Sequence, residues 1–123
     1  MADRGLVLFA HGARDARWAE PFERLRVRIE TRRPDLLVAL AFLEHMQPDL
    51  AEAVAALAAR GARRVRVVPL FFGRGGHLRE DFPRHVARAQ AATPSVALDV
   101  TAAAGEDPAV IEALADFALA DPA

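Results

Sequence analysis

Four times along the chain, an apolar run of β type gives way to a short polar or glycine-bearing loop and then to a segment whose apolar residues recur every three or four positions. That order predicts a βα unit taken four times. The first run is GLVLFA, Gly5 to Ala10, followed by a helix near Ala16 to Arg32 on which Trp18, Phe22, Leu25 and Ile29 share one face. Pro21 suits an early position in that helix. The second run, LLVALAFL from Leu36 to Leu43, leads to a helix near Asp49 to Arg60, with Pro48 before it and Gly61 as its stop. The third, RVRVVPLFF, covers Arg64 to Phe72, and its helix is expected to become regular around Phe82 to Ala92 because Pro83 fits a first turn. A fourth strand is expected near Val96 to Thr101. Pro108 then opens a last helix that turns Val110, Ile111, Leu114 and Phe117 inward.

Strands apolar on both faces, alternating with amphipathic helices, predict an open parallel four-stranded α/β sheet with helices on both faces, doubly wound through right-handed crossovers. The 123 residues suffice for one domain, residues 1–123, that buries roughly two-thirds of its unfolded surface. In such sheets ligands bind beyond the carboxyl ends of the strands, usually where strand order reverses. The segments after the four strands are HGARD from His11, EHMQ from Glu44, GRGGH from Gly73 and AAAGED from Ala102.

Composition removes several classes of chemistry. With 16 basic residues, all arginine, against 17 acidic ones, the chain lacks the basic footprint of a nucleic-acid binder. The absence of cysteine excludes disulfides, thiolate nucleophiles and cysteine metal sites, so any metal must be held by His, Asp or Glu. Without lysine there is no Schiff base, and the glycines around Gly73 cannot complete a GxxxxGK[ST] phosphate loop. Nor does a receiver domain fit, since that needs aspartates after the first strand and a lysine near the last. The apolar run before His11 is too short for a signal sequence or a membrane span, so a cytoplasmic location is expected, with no membrane partner.

His11, His45 and His77 fall in the strand-end loops together with Glu44, whereas His85 lies within a helix. Imidazole and carboxylate, with no competing thiolate, suit a labile site for divalent cobalt, nickel, iron or zinc. Gly12 and Gly76 beside His11 and His77 let the backbone bend and a flat molecule approach. Gly73 and Gly75 serve equally as ordinary turn residues.

The stretches FAHGARDARW, AFLEHMQPDL and VPLFFGRGGHLREDFP resemble the sirohydrochlorin chelatase family, the small ATP-independent cobalto- and ferrochelatases acting on tetrapyrroles. The likeness runs from about Gly5 to Phe117 and implies one flavodoxin-like chelatase lobe. It implies metal ligation by His11 and His77, with Glu44 helping to hold the metal or accepting pyrrole protons. The metal, Co2+, Fe2+ or Ni2+, would then be a substrate, and no nucleotide would be required. Because sirohydrochlorin is rich in carboxylates, Arg14, Arg74 and Arg79 are candidates to anchor it, with Gly75 and Gly76 giving it room. Many relatives carry serine where Ala13 stands, so any hydroxyl contribution there is lost. A single lobe implies a homodimer, the second copy supplying the other wall of the cleft. The alternative is a metal-delivery module that keeps the ligands without turnover.

Overall fold

From Val7 to Ala10 every side chain of β1 (Arg4–Ala10) is buried, on both sides of the strand, which makes β1 the centre of the sheet. The computed structural model describes residues 3–73 and 75–121, with residues 76 and 77 described by their backbone alone. A 3-10 turn (Ala16–Ala19) leads into α1 (Glu20–Arg32), followed by β2 (Leu37–Phe42), α2 (Leu50–Ala59), β3 (Arg64–Pro69), α3 (Gly76–Ala92), β4 (Ala97–Val100), a second 3-10 turn (Ala104–Glu106) and α4 (Pro108–Leu119). All strand pairs are parallel, in the order β2-β1-β3-β4. The order reverses between β1 and β3, the point at which the chain crosses from one face to the other.

The strand period of two sorts the core into two layers. Val7, Phe9, Val65 and Val67 point to the side covered by α2 and α3, where Leu50, Val54, Leu57 and Phe82 meet them. Leu8, Ala10, Val38 and Leu40 point to the side of α1, against Trp18, Phe22 and Ile29. Each fully buried side chain of this size contributes roughly 1.5–3 kcal/mol through burial. Among the described residues no polar or charged residue is buried, so every group able to do chemistry is at least partly open to solvent.

Local chemistry explains most boundaries. Asp49 accepts from the Glu52 backbone N–H while Glu52 reaches back to the Asp49 N–H, a capping box that fixes the start of α2. Pro21 sits in the first turn of α1, and the first turn predicted there is the 3-10 segment capped by Asp15. β3 stops at Pro69, short of the expected Phe72. α3 begins at Gly76, well before the expected Phe82, and therefore carries Pro83 in its interior rather than its first turn. Pro83 and Arg79, the residue whose carbonyl loses its usual donor, are both exposed there.

The larger departure is α4. The helix forms where expected, but no residue of it is buried: Ile111 is 40%, Leu114 42% and Phe117 81% exposed. The apolar stripe read as inward is therefore only partly covered by its own chain.

Candidate functional site

The loops after β1 and β2 are held together by main-chain bonds that continue the strand pairing. Leu43 N–H donates to the Ala10 carbonyl at 2.9 Å, and Glu44 N–H donates to the His11 carbonyl at 3.1 Å. Gly12 makes this approach possible. Its φ is +94°, in the left-handed region, and a Cβ at this position would overlap the carbonyl oxygen of Glu44. As a result His11 Nε2 lies 3.5 Å from Glu44 Oε1, with both side chains about half exposed.

The same carboxylate oxygen is 3.7 Å from His45 Nε2. His45 holds φ at +66°, a conformation that costs an L-residue about 1–2 kcal/mol. Sequence reading placed His45 in a strand-end loop without giving it a part in the site; its left-handed backbone, which turns the imidazole back toward Glu44, leaves no mark in composition or spacing. Among the described residues no group of three or more His, Asp or Glu is arranged to hold a metal ion.

The third wall comes from the segment after β3. Leu70 N–H bonds to the Phe9 carbonyl at 2.8 Å, carrying the chain past the end of the sheet. Phe71 is buried, packing edge-on to Phe9 and His11 with ring centroids 5.8 and 6.1 Å away, while Phe72 is 72% exposed. Together these loops bound an open cleft of about 810 Å3 at the switch point of the sheet, lined by His11, Leu43, Glu44, Leu70, Phe72, Gly73 and Gly75 among others. A Cβ at Gly73 or Gly75 would meet nothing within 4 Å. Packing therefore does not demand glycine at either position, and the space saved is open cleft.

The predicted residues are only partly brought together. His11, Glu44 and Gly75 meet at the cleft. His77 is the second residue of α3, in the turn that follows Gly75, and its side chain lies outside the described residues, as does the whole of Arg74; Gly76 opens the same helix. Arg14 and Arg79 are exposed and do not line the cleft, whereas Asp81, which sequence reading passed over, does. His85 stands apart, its ring tilted against Phe9 at 5.9 Å. Gly105 was also missed: its N–H donates to the Phe71 carbonyl at 2.9 Å, and a Cβ would overlap the Phe72 backbone. The glycine within AAAGED was the available signal. Further along the segment after β1, the Arg17 guanidinium bonds to Asp15 and holds that carboxyl below its ordinary range.

Fold and site together define a flavodoxin-like α/β domain whose polar groups converge at the switch point of its sheet. The chain belongs to the CbiX family, whose model matches residues 5–119. A putative cobalamin (vitamin B12) biosynthesis CbiX protein from Marinobacter aquaeolei VT8 superposes with a TM-score of 0.81 at 32% identity, covering 94% of this chain and 93% of that one. The sirohydrochlorin cobaltochelatase of Saccharolobus islandicus strain L.S.2.15 is 36% identical over 80 residues, 65% of this chain, and the match spans 61% of the length of that curated relative. The sirohydrochlorin chelatase SirB from Bacillus subtilis subspecies spizizenii, solved in complex with cobalt, shares the fold at a TM-score of 0.78 and 23% identity, covering 92% of this chain but 48% of its own.

Proposed function

We propose that the protein inserts a divalent metal ion, cobalt or iron, into sirohydrochlorin or a closely related tetrapyrrole, without a nucleotide. The observation that carries this reading is the placement of His11 and Glu44, 3.5 Å apart, on the lip of an open cleft with aromatic walls. Membership of the CbiX family and the cobaltochelatase relatives support the same substrate class.

Insertion exchanges two pyrrole N–H protons for one M2+, so the site must hold a hydrated cation loosely, receive two protons and seat a flat macrocycle. His11, with His77 from the first turn of α3, delivers the metal through imidazole nitrogens that release it readily. Glu44 accepts protons or lends negative charge to the incoming ion. The exposed ring of Phe72 and the open space over Gly73 and Gly75 offer the macrocycle a face. Arg14 and Arg79, exposed outside the lining of the cleft, bind its peripheral carboxylates, and Arg74 is the third candidate for that role.

The working form is a homodimer in the cytoplasm, because one lobe gives a large planar substrate a single wall, whereas binding sites normally bury most of their ligand. Among the described residues no helix is long and apolar enough to cross a membrane.

The test is the rate of the absorbance change that accompanies metal insertion into sirohydrochlorin. Wild-type protein should exceed the spontaneous rate, and Glu44→Gln should slow it at equal fold and metal content. A deficit that persists at saturating metal marks Glu44 as base; one that disappears marks it as ligand. A wild-type rate equal to the spontaneous one would replace this reading with metal delivery.

A further inference from the structure

The chain has 16 arginines, yet none among the described residues lines the cleft. The charged side chains that do line it are Glu44 and Asp81, together with the His11 imidazole. A site built only to seat a carboxylate-rich macrocycle would be better served by arginine in those places. A wall of negative charge suits the other reactant, the metal cation. Between low-dielectric walls, a cleft lined by one sign of charge focuses its field and concentrates counter-ions within it.

Glu44 has a part in the proposed reaction; Asp81 has none so far. It stands in the second turn of α3, and Leu78, three residues before it, lines the same cleft, so the two share a helix face. The next residue fixes that face: Phe82 is buried and stacks on Phe9 with ring centroids 5.5 Å apart, which sets the rotation of the helix on the sheet. A packed helix therefore carries Asp81 to the cleft. Its side chain is 46% exposed, and its ion pair with Arg84 is long, 3.9 Å, to a side chain that is itself largely in water. Such a pair neutralises little. The charge of Asp81 acts on the cleft from the α3 wall, as that of Glu44 does from the loop after β2.

We propose that Asp81 is the entry carboxylate for the metal: it draws the hydrated divalent cation into the cleft, hands it on toward His11, and makes the metal load before the macrocycle. The order follows from charge. An empty cleft repels a ring rimmed with carboxylates, whereas one divalent cation balances the two carboxylates of the wall and removes that repulsion. Asp81 thus has opposite effects on the two reactants. It is a positioning residue, since no bond forms or breaks at it.

This inference rests on the insertion reaction proposed above, and its first test does not need turnover. Calorimetric titration with Co2+ at low salt should give Asp81→Asn a dissociation constant about tenfold above wild type, the lower end of what a cleft of one sign achieves. Asp81→Glu, which keeps the charge, should bind as wild type. Glu80→Gln, the same loss of charge one residue away and outside the lining of the cleft, should leave binding unchanged. Raising the ionic strength from about 0.01 to about 0.15 M, which shortens the screening length from about 30 to about 8 Å, should shrink the difference between wild type and Asp81→Asn. Without metal, sirohydrochlorin should bind Asp81→Asn more tightly than wild type, a gain that a merely structural role would not produce. In the insertion assay Asp81→Asn should raise the KM for metal about tenfold and leave kcat within about twofold. A fall in kcat that persists at saturating metal would overturn cation entry and place Asp81 in the chemical step. An Asp81→Asn protein that matches wild type in both titrations would overturn it as well. A wild type with no insertion above the spontaneous rate would reject the reaction, while the two titrations would still decide the part of Asp81.

Discussion

Replacing Gly12 with alanine tests the geometry of the site at its tightest point. Alanine at φ +94° pays about 1–2 kcal/mol for the left-handed conformation. Its Cβ would overlap the Glu44 carbonyl oxygen, so the two loops must part by on the order of 1 Å before the atoms clear. That movement also loosens the Glu44 N–H to His11 carbonyl bond, a further ~1 kcal/mol. The sum, about 2–3 kcal/mol, leaves a domain of ordinary stability, about 5–15 kcal/mol, folded. The site suffers more than the fold: a displacement of about 1 Å between reacting groups costs on the order of a hundredfold in rate. Urea unfolding measures the first effect and the initial rate of metal insertion the second. Gly73→Ala is the control, since its Cβ meets nothing and its stability should stay within about 0.5 kcal/mol of wild type. A Gly12→Ala protein with wild-type stability and a rate within threefold of wild type would refute the claim that this contact sets the distance between His11 and Glu44.

His11→Ala and His85→Ala should give opposite results when stability and insertion rate are measured together. His11 is half exposed, so its loss should reduce the rate by orders of magnitude with little change in stability, whereas losing the His85 ring against Phe9 should cost about 1 kcal/mol and spare the rate. Asp49→Ala removes the capping box of α2 and should lower stability by about 1 kcal/mol, or roughly 4 °C in thermal melting, with the insertion rate unchanged.

The sheet was legible because β1 and β2 are apolar on both faces and the helices are punctuated by Pro21, Pro48, Gly61 and Pro108. All four marks act locally, through backbone geometry that a sequence states outright. Pro83 misled for the same reason: it suits a first turn, yet α3 carries it in its interior, at an exposed position. At the site, His11 and Glu44 were readable as residues at strand ends, since a parallel sheet sends every strand end to one edge. Their separation was not, because it depends on Gly12 taking a positive φ and on which loops pair. The arginines show the limit of such reasoning. Arg14 and Arg79 are close to the right edge in sequence, but a long exposed side chain is not placed by its backbone, and neither lines the cleft.

The stripe on α4 was readable too, and its reading as inward carried an assumption that sequence periodicity does not contain. A spacing of three and four states that a face must leave water; it is silent on which chain supplies the other side. Here the residues that decide are not on the helix at all. They are Thr101, Gly105 and Asp107, whose bonds fix the direction in which α4 leaves the sheet.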